Sequence, residues 1–124
     1  MQQDNQYLVD ILYAAQRIIR KTTDVSREDF YADVALQDSV VRRLLTISKA
    51  ARRISPETTW QLNALPWDAM KGLKHQLSQE ENSIDPEVLW AIIQTEIPRL
   101  IQALGLRAVP KHEDEFAYMQ ASQT

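Results

Sequence analysis

Cysteine is absent from the 124 residues. That removes disulfides, a thiol nucleophile and every cysteine-ligated metal site. Two glycines and five prolines are too few turn-formers for an all-β chain. With no cysteine and only two histidines, His75 and His112, a structural zinc site is not expected; the reading calls for no other metal and no cofactor. No apolar run approaches the roughly 18 residues that a membrane span needs. The polar opening Met1-Gln2-Gln3-Asp4-Asn5 lacks the basic start and apolar stretch of a secretory leader. The expectation is a cytoplasmic protein with no membrane association.

What is present is ordinary for a globular chain: 44% hydrophobic and 25% charged residues, enough for one domain with a real core. The net charge of −3 argues against indiscriminate binding of nucleic acid over the whole surface. The charges are not evenly spread. Arg42, Arg43, Lys49, Arg52, Arg53, Lys71 and Lys74 are half of the 14 basic residues and fall in two central segments. Acids gather at residues 24–33, at 80–87 and in the tail. The pattern is either a local basic surface on an acidic molecule or two solvated helix faces.

Apolar residues recur at helical spacing along most of the chain. Leu8, Ile11, Leu12, Ala15, Ile18 and Ile19 predict a helix over 4–21. Ser26 opens a short helical turn anchored by Phe30 and Tyr31. Leu36, Val40, Leu44, Ile47, Ala51 and Ile54 predict a second long helix over 34–54, with its cations largely off that stripe. Ser55-Pro56 starts a short helix or an irregular loop. A third helix over 67–79 buries Trp67, Met70, Leu73 and Leu77. Gly72 costs that helix roughly 1 kcal/mol against alanine, a cost usually explained by close approach of another backbone. Asp85 and Pro86 open the last helix, with Val88, Leu89, Ile92, Ile93, Leu100 and Ile101 facing inward. Pro98 should kink or interrupt it, and Gly105 should end it. From 106 to 124 the pattern is lost. After Leu106 and Val109, Phe116, Tyr118 and Met119 are its large apolar groups. The expected fold is all-α, an up-and-down bundle of four or five helices over 4–105 with a polar tail over 106–124.

Several segments carry a family resemblance. Tyr7-Leu8-Val9-Asp10-Ile11-Leu12, Phe30-Tyr31-Ala32-Asp33, Gln37-Asp38-Ser39-Val40-Val41-Arg42-Arg43-Leu44, Pro66-Trp67 and Leu89-Trp90 stand in the order and register of the HepT-like HEPN proteins. The chain resembles that family from about residue 7 to 104. The resemblance implies a HEPN helical bundle that forms a homodimer, with two active-site helices facing each other across a cleft where RNA is cut without a metal. It also implies a toxin ribonuclease of a type VII-like toxin–antitoxin system. The usual partner is a minimal nucleotidyltransferase antitoxin, which in some members adds AMP to a tyrosine just after the catalytic histidine.

The departures lie where the chemistry should be. The family's Gly-hydrophobic-Arg-Asn-x-x-x-His run is matched by Gly72-Leu73-Lys74-His75-Gln76-Leu77-Ser78-Gln79. Lys74 therefore stands in the arginine slot, His75 in the asparagine slot and Gln79 in the histidine slot. Glutamine exchanges no proton at neutral pH, whereas imidazole does, and losing general acid–base catalysis costs ~10²–10⁴-fold. Lys74 keeps a positive charge but loses the bidentate fork of arginine. Glu80-Glu81 replaces the family's tyrosine. Leu45-Thr46-Ile47-Ser48-Lys49 replaces a Glu-x-x-Gly-Glu pattern on the second helix. By this reading Lys74, His75 and Gln79 are the candidate catalytic positions. His75 is either a relocated acid/base or a histidine without chemistry. Arg42, Arg43, Lys49 and Lys71 are the candidate RNA contacts. The expectation is a weakly active or inactive toxin ribonuclease; the alternative is a non-catalytic HEPN dimer acting as an RNA- or protein-binding regulatory module.

Overall fold

The computed structural model describes residues 2–78 and 85–107, and among them there is no strand. Seven α-helices follow one another: α1 (Gln2–Thr22), α2 (Arg27–Ala32), α3 (Val34–Arg53), α4 (Pro56–Gln61), α5 (Trp67–Ser78), α6 (Pro86–Ala91) and α7 (Ile97–Arg107), with a π-helical turn, Ile92–Glu96, joining the last two. Counting α6, the π turn and α7 as one interrupted rod gives four long rods, as the apolar spacing predicts. No helix among the described residues is long and apolar enough to cross a membrane.

The rods form where the apolar stripes require them. Ile11, Ala15 and Ile18 of α1, Val40, Leu44, Ile47 and Ala51 of α3, and Ile93, Ile97 and Leu104 of the last rod are all essentially inaccessible to water. α1 packs on α3 and α7, and α3 carries α5 on its other side. α1 ends where Thr22 and Thr23 donate their hydroxyls back to the carbonyls of Ile18 (2.8 Å) and Ile19 (2.6 Å), and Asp24 takes a left-handed conformation at φ 67°. Side-chain bonding of this kind and a left-handed residue both stop helix propagation. Ser26 caps α2 by accepting from Asp29 N at 3.0 Å. Phe30 is fully buried, its ring 5.3 Å from that of Trp90. Asp33 ends α2 and caps α3, accepting from Leu36 N at 3.0 Å.

Three local expectations are corrected. Gly72 makes no close approach: a Cβ built there meets nothing within 4 Å. Val88 is exposed rather than inward-facing. Gly105 does not end its helix, because neither glycine adopts a positive φ and α7 continues to Arg107. Of the two alternatives for the segment from Ser55, the structure has the short helix, α4. Pro98 does interrupt the last rod, by way of the π turn. There Ile97 N donates to Ile92 O, five residues back, and the wider turn relieves the clash that a proline ring makes with the carbonyl four residues before it. The expected tail begins at 106; residues 108–124, including His112, lie outside the described residues.

One buried charge has no counterpart in the apolar pattern. Asp4, in the first turn of α1, is 5% exposed. Its carboxylate accepts from Ser55 N (3.1 Å), Ser55 Oγ (2.6 Å) and Thr58 Oγ1 (2.6 Å). Burial raises the pKa of this carboxyl, but the bonds from Ser55 and Thr58 outweigh it and the net direction is downward. The start of α1 is thereby fastened to the start of α4.

Candidate active-site helix

α5 is the helix on which the candidate catalytic positions lie. Pro66 precedes it, and Trp67 anchors its start by donating Nε1–H to Leu62 O at 2.9 Å. Trp67, Met70 and Leu77 are buried against the core. Lys71 is half-buried. Lys74 and His75 follow it by three and four residues, one turn further along the same regular helix. Gln79, one residue past the end of α5, lies outside the described residues, as do Glu80 and Glu81.

The backbone of Lys71 is where α5 is held to α3. Ser48 donates its hydroxyl to Lys71 O at 3.1 Å, and Arg52 donates Nη2–H to the same oxygen at 3.1 Å. Ser48 is 1% exposed, so this is the close contact between the two helices that the sequence suggested at Gly72. A small side chain on α3, not the glycine on α5, makes it. The double bond also brings a guanidinium to the α5 backbone one turn before Lys74 and His75. Arg52 was not among the candidate RNA contacts. The signal that could have found it is the spacing of Ser48 and Arg52, four residues apart and hence on one helix face.

The four candidate RNA contacts are not brought together as a set. Arg42 and Lys49 are exposed on α3, seven residues apart and on one solvent-facing stripe. Arg43 is half-buried; it is seven residues before the buried Ala50 and so on a different side of the helix. Lys71 lies across the α3–α5 seam. On the flank of α5 away from Lys71, an open groove of about 430 Å³ runs beside Ala69, Met70, Gly72 and Leu73, with Ile97 and Leu100 opposite. Among its lining residues Glu96 alone is charged, so the groove is not built for phosphate.

The model of the family described as Ribonuclease HepT-like matches residues 11–105. The chain belongs to the HepT-like ribonuclease family. The match spans α1 to α7 and includes the whole of α5. Curated relatives agree. A candidate RNase of Methanocaldococcus jannaschii is 30% identical over 94 residues, 76% of this chain and 86% of that protein. A protein of Thermococcus cleftensis named "Probable ribonuclease HepT" is 31% identical over 94 residues, 76% of this chain and 86% of that protein. A candidate RNase of Caldanaerobacter subterraneus is 30% identical over the same length, covering 84% of that protein. No solved structure matches the chain significantly. The family match thus covers the whole of α5.

Proposed function

We propose that this HepT-like protein is the RNA-directed toxin component of a toxin–antitoxin pair, with cleavage activity that is weak or absent. One observation carries the reading. Lys74 and His75 on α5, and Gln79 just after it in the sequence, stand where the resemblance to the family places arginine, asparagine and histidine. In this reading Lys71, Lys74 and the exposed α3 cations Arg42 and Lys49 are the RNA contacts. The missing imidazole removes the group that would take the proton from the 2′-hydroxyl or give one to the leaving oxygen. Self-association is supported by the apolar groove beside α5, which a lone protomer leaves open to water. The partner in this reading is a minimal nucleotidyltransferase. Glu80-Glu81 in place of tyrosine leaves that partner no phenol to modify directly after the motif, so control by AMP transfer at this position is not expected. The compartment in this reading is the cytoplasm.

The test is RNA cleavage by the purified protein in the presence of a chelator, with Gln79→His alongside. The reading expects little cleavage by the natural chain and a gain in the variant. RNA retained but not cut by either form would favour the second reading, a non-catalytic HEPN regulatory module, for which the loss of both imidazole and arginine fork is the supporting observation.

A further inference from the structure

Of the large apolar side chains on the surface, Trp60 is the most exposed among the described residues at 77% and the only indole; Val34 follows at 66%, and Tyr31, Leu45 and Val88 lie between 36 and 37%. An indole is a costly group to leave in water, and this one is firmly mounted. It sits on α4, whose capping residue Ser55 and whose Thr58 are both bonded to the buried carboxylate of Asp4. Trp60 follows Thr58 by two residues and so projects from the opposite side of that short helix. Its neighbours Glu57, Gln61 and Asn63 are polar and exposed. It is not the centre of an apolar patch of the kind that marks a dry protein interface.

What leads up to it is cationic. Between Asp38 and Glu57 the chain carries Arg42, Arg43, Lys49, Arg52 and Arg53 and no acid. On α3, residues Arg42, Thr46, Lys49 and Arg53 are exposed and recur at spacings of four, three and four, which is one face of the helix. Ile54 and Ser55 alone separate the end of α3 from the start of α4, so the aromatic follows the stripe closely in the chain. A basic track that ends at an aromatic plane is the chemistry by which proteins hold single-stranded nucleic acid. Cations follow the phosphates, and the π-face takes a base whatever its identity.

We propose that Trp60 is a stacking platform for a base of single-stranded RNA whose phosphates run along Arg42, Lys49 and Arg53. The site is made of α3 and α4 residues and includes none of the candidate catalytic positions. It rests on the reading that RNA is the ligand of this HepT-like protein. It adds a sequence-tolerant grip on the strand outside the place where cleavage is expected.

The experiment measures binding of a short 2′-O-methyl oligouridine, which lacks the free 2′-hydroxyl that cleavage needs, to the full chain. Affinity and tryptophan fluorescence are followed at several salt concentrations. Trp60→Ala should weaken binding by roughly tenfold or more and abolish the fluorescence quenching, and Trp60→Phe should recover most of the affinity because it keeps a π-face. Arg53→Ala should lower the slope of log affinity against log salt by about 0.7. These positions are exposed, so the helical circular dichroism should not change. RNA binding that is equally tight in Trp60→Ala overturns the platform while leaving the RNA reading intact. So does a change in sedimentation of that variant with unchanged RNA affinity, which assigns the surface to a protein contact. An absence of any binding by the natural chain overturns both.

Discussion

At the scale of single residues, Asp4 shows how a charge is kept in the interior. Its carboxylate is out of water but accepts three bonds, and those bonds hold its pKa below the usual carboxylate value despite burial. Removing the acceptor leaves the Ser55 and Thr58 donors without their partner. Asp4→Ala should therefore lose about 1–3 kcal/mol in urea unfolding. The pH dependence follows from the direction of the shift. A carboxyl with a depressed folded-state pKa contributes stability that is present above its unfolded value near 3.9. That contribution is lost as pH falls through the lower folded value. The natural chain should thus lose stability below about pH 4 more steeply than Asp4→Asn, a difference that unfolding midpoints across pH 2 to 6 will show. Ser48 is the second residue that matters singly. Ser48→Leu should destabilise the fold by about 1–3 kcal/mol through overpacking of the α3–α5 seam, whereas Ser48→Ala removes one bond from an oxygen that Arg52 still reaches and should cost about 1 kcal/mol.

At the scale of elements, the long helices were legible because their burial is periodic. Leu44, Ile47 and Ala51 announce α3 by spacing alone, and Ser26, Ser55 and Asp85 announce helix starts by cap chemistry. What was not legible depends on contacts between elements. Nothing local to Ser48 says that its hydroxyl meets the carbonyl of Lys71, and nothing local to Gly72 says that the space beside it is open. Asp4 resembled an ordinary first-turn acid because its partners are some fifty residues away. The interruption by Pro98 was legible, but its form was not, since a π turn is chosen by the need to keep Ile97, Leu100 and Leu104 facing the core after the proline. The coupling can be tested by deletion. Removing the exposed Thr95 converts the five-residue turn toward an α-helix and returns Pro98 to a helix interior, at a cost of about 3 kcal/mol. The same deletion combined with Pro98→Ala should recover most of that loss in thermal unfolding.

At the scale of the whole molecule, the HepT-like scaffold and the candidate chemistry separate. The fold was readable from the apolar periods and from the family segments in register, and the family match covers 11–105. The site was only partly readable. Lys74, His75 and Lys71 fall on α5 as their numbering requires, but the candidate RNA cations divide between two sides of α3, and Arg52 emerges as the cation nearest the α5 backbone. The central claim, that of the proposed function, is that this HepT-like bundle lacks the proton-transfer group that RNA cleavage needs. The most direct measurement is the rate of RNA cleavage, chelator present, by the natural chain and by Gln79→His. The account predicts slow or undetectable cleavage by the natural chain and a gain of ~10²–10⁴-fold on restoring the imidazole. Rapid cleavage by the natural chain, unchanged by Gln79→His, would contradict it.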